Sequence, residues 1–324
     1  RSGRIAPMTQ SSVAVSADGD SWAIINASPD IKSQLAATPA LHPTGPREMP
    51  LRSVLLTNGD IDHVAGLLSL RESQRFDLFA TQAIHEVLAA NPVFAAVNPD
   101  LVPRRPVALD TPFPLLPGLT ATLFAVPGKV PLYLEGERVQ TDLIGETTVG
   151  VELAADSRRA LYVPGCADLP DWLLARIEGA DALLFDGTLW TDDEMIRAGL
   201  GHKTSRRMGH LPVEHSLARL ADTPVGRRVH VHINNSNPAL LPASPQRAAL
   251  ELGLLPGTAV SASIIGTKTP STRLSAGSHF SWMRRSAAAL AVLQARITRS
   301  QPSSHSRLVA AQVRRKMSSG VRVP

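Results

Sequence analysis

The stretch Ser53-Val54-Leu55-Leu56-Thr57-Asn58-Gly59-Asp60-Ile61-Asp62-His63-Val64-Ala65-Gly66-Leu67 decides how this chain is read. A short apolar run ends in a polar turn, and a segment with helical apolar spacing follows, predicted over 63–74. Strand, loaded turn, helix is how many α/β enzymes present chemistry at the carboxyl edge of a sheet. The turn offers Asp60, Asp62 and His63 within four residues. Two hard oxygen donors and a borderline nitrogen suit Zn, Mn or non-haem Fe. A structural reading competes for the same residues: Asp62 caps the helix and Asp60 shapes the turn.

Working outward, Ser11 to Ser16 alternates like a strand, Asp18-Gly19 marks a turn, and Ser21 to Asn26 completes a hairpin. Strands are predicted at 76–80, 102–109, 119–126, 130–134, 147–153, 159–164, 182–188 and 229–233. Helices are predicted at 81–88, capped by Thr81, and at 169–178, 213–221 and 244–252. Hairpins come first and β–α alternation later. Apolar runs of five or six residues fit strands buried on both faces. The expected class is α+β, with two mixed β-sheets sandwiched between flanking helices.

The 324 residues are 44% hydrophobic but only 4% aromatic, so Leu, Val and Ala must build the core. A single cysteine, Cys166, excludes an internal disulfide framework and a multi-cysteine zinc site. No run of about 18 apolar residues occurs, so no membrane span is expected. The first residues lack the hydrophobic centre of a signal peptide, and a cytoplasmic location is expected. Charge divides sharply. Residues 257–324 contain eleven Lys or Arg and no acidic residue; removing them from the 33 basic residues leaves 22 against 28 acidic, a net of −6. The chain therefore reads as a mildly acidic domain over 1–256 and a basic tail over 257–324. The tail reads as disordered or aberrant, with a weakly amphipathic helix over 283–298 as its one ordered candidate, and specific nucleic-acid binding is not expected of it.

Four predicted strand ends carry polar clusters: Asn58/Asp60/Asp62/His63, Lys129, Cys166/Asp168 with Asp186, and His232 with Asn234 and Asn235. Polar groups converging from successive strand ends are what an active site in this architecture requires. His210 can donate a proton or hold substrate, and Asp186 can orient a ligand. Arg206 and Arg207 carry forks suited to substrate carboxylates. Cys166 reads equally as a small buried hydrophobe, and His85 and His202 read as surface residues.

The spacing Thr57-x-x-Asp60-x-Asp62-His63-x-x-Gly66 resembles the Thr-His-x-His-x-Asp-His-x-x-Gly signature of the metallo-β-lactamase superfamily, with Asn58 and Asp60 where two histidines would stand. Closer still is a resemblance to the PqqB family of pyrroloquinoline quinone (PQQ) biosynthesis. It is carried by Asn26-Ala27-Ser28-Pro29-Asp30-Ile31, Leu56 to Leu67, Val126-Pro127-Gly128-Lys129-Val130-Pro131, Tyr162-Val163-Pro164-Gly165-Cys166-Ala167, Leu184 to Trp190, Arg206 to His210 and His232-Ile233-Asn234-Asn235. It runs from residue 8 to about 252. The Cys-x-Cys-x-x-Cys site of that family has no counterpart here, so its structural zinc is not expected.

The resemblance implies a metallo-β-lactamase-like αββα sandwich. It implies that the first metal of the superfamily has been given up, its positions falling on Asn58, Asp60 and Gly128 or Lys129, with Lys129 supplying positive charge in its stead. One ion, Fe(II) with Zn as the alternative, would be held by Asp62, His63 and His232, with Asp60 as a further candidate. His210, Asp186 and Lys129 would serve catalysis, and Arg206, Arg207 and Asn234 the substrate. The implied reaction is hydroxylation of the tyrosine ring of a small Glu–Tyr-derived precursor. The alternatives are a carrier moving the cofactor or its precursor to the periplasm, and a metallo-hydrolase. Other PQQ-pathway proteins are the expected partners, with a homodimer as the oligomeric form to test.

Overall fold

A computed structural model describes residues 8–252, apart from 47, 72–73 and 138, together with the strand segments 263–264, 280–281 and 291–295. Strands β1 (Val13–Ser16) and β2 (Trp22–Ile25) form the expected hairpin. Asp18 builds its turn: Oδ1 accepts from the Asp20 and Ser21 amides, both at 2.8 Å. Helix α1 (Ile31–Ala36), β3 (Leu51–Leu55), α2 (Ile61–Val64), β4 (Asp77–Ala80), α3 (Gln82–Ala90) and β5 (Arg104–Pro106) follow. Thr81 caps α3, its hydroxyl accepting from the Ile84 amide.

The second half runs β6 (Phe113–Leu116), β7 (Leu119–Ala125), β8 (Val149–Ala155), β9 (Arg158–Val163), α4 (Asp171–Ile177), β10 (Ala182–Asp186), α5 (Glu194–Arg197), α6 (Val213–Leu220), β11 (Arg228–Val231) and α7 (Pro245–Leu252). Three short strands follow, β12 (Ser263–Ile264), β13 (Phe280–Ser281) and β14 (Ala291–Ala295). They form two mixed seven-stranded sheets, β13-β14-β1-β2-β3-β4-β5 and β12-β11-β10-β9-β8-β7-β6.

Side-chain alternation shows why both sheets are so apolar. On β9 and β10, Ala160, Tyr162, Ala182 and Leu184 turn toward the core shared with Val15, Ile24, Val54 and Leu78 of the first sheet. Their neighbours Leu161, Val163, Leu183 and Phe185 turn the other way, onto Leu173 and Ile177 of α4 and Leu220 of α6. Each such Leu or Phe, fully buried, contributes about 1.5–3 kcal/mol relative to exposure. The αββα layering follows from a strand pattern that must be covered on both faces.

Four expectations need correction. Residues 130–134 are no strand: Leu132–Leu134 is a 3₁₀ turn, because Pro131 cannot donate to a ladder. The helix expected over 63–74 is α2 followed by a 3₁₀ turn, Ala65–Ser69. At Gly66 the chain presses onto the loop after β2, and a Cβ there would collide with the carbonyl oxygens of Ala27 and Ser28. His85 is buried rather than superficial, on the face of α3 that also buries Ile84 and Leu88. Within the helical spacing of 283–298, Ala291–Ala295 is a strand parallel to β1. The rest of that stretch, and most of the tail, lies outside the described residues. No helix among the described residues is long and apolar enough to cross a membrane.

Candidate metal centre

The strand ends of both sheets deliver their polar residues to one place. After β3, the turn is fixed from beneath by Asn26, the residue that ends β2 in a left-handed conformation (φ 62°). Its Oδ1 accepts from the Thr57 amide at 2.9 Å, and its Nδ2 donates to Thr57 Oγ1 at 2.9 Å. Two backbone bonds complete the clamp: Ala27 N donates to His63 O at 2.7 Å and Gly66 N to Ala27 O at 2.8 Å. Neither aspartate of the turn caps the helix with its side chain. Asp62 instead lies within α2, its Oδ2 2.9 Å from His232 Nε2 and its Oδ1 3.2 Å from His63 Nδ1. The His63 and His232 rings stack, 5.2 Å between centroids, and His232 stacks on His210 at the same separation.

The ends of β10 and β11 supply a second group. Asp186, fully buried, accepts on Oδ2 from the Cys166 amide (3.0 Å) and His210 Nδ1 (2.7 Å). On Oδ1 it accepts from the amide (3.0 Å) and hydroxyl (2.7 Å) of Thr188. Thr188 Oγ1 also lies 2.7 Å from His232 Nδ1. His232 follows β11 with φ 59°, a rare conformation for a side chain of this kind and one that clusters at functional sites.

Counting protons assigns the tautomers. Thr188 has one hydroxyl proton and gives it to Asp186, so it can only accept from His232, whose proton therefore sits on Nδ1. The other ring nitrogen, Nε2, then faces the Asp62 carboxylate lone pair to lone pair, an arrangement that calls for a cation or an extra proton between them. His63 adds a third donor: its ring is buried and Nε2 has no hydrogen-bond partner.

Electrostatics agree. Burial alone would raise the Asp62 carboxyl, but His63 and His232 outweigh it and hold the group well below the usual carboxylate range. Burial would likewise lower His63, and Asp62 reverses the shift. At Asp186 burial opposes ionisation, and His210 leads the groups that overcome it.

Two sets of potential ligands lie close enough to hold a metal ion, Asp62/His63/His232 and Asp186/His210/His232. The donor set of the first fits a single ion, since its carboxylate and its two Nε2 atoms have capacity to spare. In the second, four donors already saturate Asp186, which suits it to orienting His210 rather than binding metal. Asp60 joins neither set: its Oδ1 accepts from the Leu132 amide at 3.1 Å. Asn58 is occupied locally, accepting from the Asp60 amide at 3.0 Å. Cys166 is the buried small residue; its thiol donates to Asp168 O, and burial pushes its pKa well up.

Of the remaining expected residues, Lys129 is paired with Glu135 at 3.0 Å, and Arg207 reaches the same carboxylate at 3.2 Å. Arg206 is exposed and reaches His215, and Asn234 Nδ2 donates to Ser236 Oγ, so neither joins the donor groups. Asn26 and Thr188 also support the centre, through partners that local sequence does not announce. The one available signal was Thr188 two positions after a strand-ending Asp, the spacing of an Asx turn.

Two mixed sheets with metal-type donors gathered at their strand ends define a protein of the β-lactamase superfamily, and residues 21–233 match the family model described as Beta-lactamase superfamily domain. The chain is 59% identical over 253 residues to the coenzyme PQQ synthesis protein B of Ruegeria pomeroyi, covering 77% of this chain and 85% of that one. It is 56% identical over 252 residues to the protein of the same name from a Methylobacterium species, covering 76% and 84%. The crystal structure of Zn(2+)-bound PqqB from Methylobacterium extorquens matches with a TM-score of 0.77 at 52% identity, over 81% of this chain and 88% of that one. The chain belongs to the coenzyme PQQ synthesis protein B family.

Proposed function

We propose that this chain acts in PQQ synthesis as a mononuclear metal-dependent oxygenase that hydroxylates the tyrosine ring of a small Glu–Tyr-derived precursor, with iron as the working metal. The observation that carries the reading is the convergence of Asp62 Oδ2 and His232 Nε2 at 2.9 Å, with a ring nitrogen of the buried, unpartnered His63 close enough to share an ion with them. Two imidazoles and one carboxylate are the ligand set of non-haem Fe(II) oxygenases. Such an ion, when bound, would supply O₂ activation.

The chain's own residues do the rest. Asp62, His63 and His232 would hold the ion. Thr188 fixes the His232 tautomer, and Asp186 fixes His210 through Nδ1. His210 Nε2 is left to hold or move a proton at the substrate phenol. The reading of a single ion is supported by Asn58 and Asp60, which are absent from both donor groups and whose side-chain oxygens accept from main-chain amides, of Asp60 and of the distant Leu132.

Anaerobic loading of the full chain with Fe(II), followed by O₂-uptake measurements with the tyrosine-containing precursor, tests the proposal. One equivalent of iron and precursor-dependent uptake are expected, both lost in His232→Ala. Two bound equivalents, or uptake unaffected by His232→Ala, would overturn it.

A further inference from the structure

One carboxylate lies outside the metal centre among more cations than it can neutralise. Glu135, its side chain 7% exposed, is 3.0 Å from Lys129 Nζ, 3.2 Å from Arg207 Nη2 and 3.7 Å from Lys203 Nζ. Three cations face one anion, and Glu135 Oε1 lacks a hydrogen bond of good geometry. The cluster adjoins the site. The Lys129 stem lies against Gly209, beside His210, where φ of +87° and a close approach both favour glycine.

Glu135 belongs to a strap over 130–136 in which Pro131 is buried, near Gly59, and the exposed residues after it are held by polar latches. Leu132, Tyr133 and Leu134 are 58%, 40% and 47% exposed, so they add little apolar burial. What ties the strap down is Leu132 N to Asp60 Oδ1, Tyr133 Oη to Gly59 O at 2.6 Å, and Glu135 to the three cations. The strap thus runs from the metal-binding turn to the basic loop at 203–207. A segment held by exchangeable ion pairs, with little core contact, opens at low cost.

We propose that Lys129, Lys203 and Arg207 form a subsite for a substrate carboxylate, and that Glu135 occupies it as an internal stand-in until substrate displaces it. Guanidinium and ammonium donors suit carboxylates, and the two surplus positive charges favour a ligand with more than one. The inference takes its ligand class from the proposed function, but its test does not depend on turnover.

The probes are the dipeptide glutamyl-tyrosine, with its ring and two carboxylates, and the corresponding diamide. Binding to the full chain is measured by titration calorimetry, with and without Zn(II). Glu135→Gln is expected to tighten dipeptide binding about tenfold and leave diamide binding unchanged, because a charged competitor is removed. Adding Lys203→Gln should reverse most of the gain. Unchanged or weaker dipeptide binding in Glu135→Gln, or an equal gain for the diamide, would overturn the subsite. Should Glu135→Gln not fold, Lys203→Gln alone must weaken dipeptide binding, and no change would count against the proposal. A chain that binds no iron but shows the charge dependence would refute the oxygenase reading and leave the subsite standing.

Discussion

His63 and His85 begin from the same position. Both rings are buried, and neither finds hydrogen bonds of good geometry for its nitrogens. Their surroundings send them in opposite directions. At His63 the Asp62 carboxylate overrides burial and the pKa rises. At His85 burial prevails, reinforced by Arg104 and opposed only by the Arg105 backbone, and the pKa falls. An unpartnered buried imidazole is therefore not a site in itself. Company makes the difference: two further donors, His232 and the Asp62 carboxylate with its free lone pairs.

The comparison can be broken most forcefully at Asp62. Asp62→Ala strips His63 of its carboxylate and leaves it in surroundings like those of His85. Metal affinity, read by competition with a chromogenic chelator, is expected to fall more than about 100-fold. Gly66→Ala acts on the frame instead of the ligands. It forces the turn off the Ala27 and Ser28 carbonyls and should cost about 2 kcal/mol in denaturant unfolding, with no matching loss at α3 positions. Asp186→Asn keeps the shape of the saturated group but removes its charge. Because Asp186 reaches His232 only through Thr188, a loss of metal affinity of about tenfold, the lower end for groups that support a ligand, is expected by the same chelator assay.

His85→Leu examines the other side of the comparison. His85 binds protons less readily folded than unfolded, so its share of stability is complete above its ordinary value of 6.5 and declines as pH falls below it. The variant should therefore lose less Tm than the parent between pH 7.5 and pH 5.5. Smallest of all is Asp60→Asn. Because Asp60 latches Leu132 rather than a metal, chelator competition should register less than about a threefold change, near the value of one exposed hydrogen bond.

Much of the fold was legible because burial on both faces of a strand leaves a continuous apolar run, as in Leu183-Leu184-Phe185. The loaded turn was legible because its residues are adjacent. What escaped depends on partners remote in the chain. Asn26 meets Thr57 across 31 residues, and Thr188 meets His232 across 44. Local period carries no trace of either bond, nor of the positive φ that aims His232. The strap misled for the opposite reason: Val130-Pro131-Leu132-Tyr133-Leu134 has a strand's composition, yet Pro131 and the exposure of its leucines exclude a ladder.

Cys166 gives Asp186 its main-chain amide and keeps its sulfur for the Asp168 carbonyl. Oxygen chemistry of the kind proposed above would expose nearby side chains to oxidative damage, and a thiolate is the first to react. Here the chain's only thiol is sealed from solvent and held protonated. The same geometry that supports the centre from behind thus shields the chain's most oxidisable group. Peroxide treatment should oxidise the methionines before it reaches that sulfur.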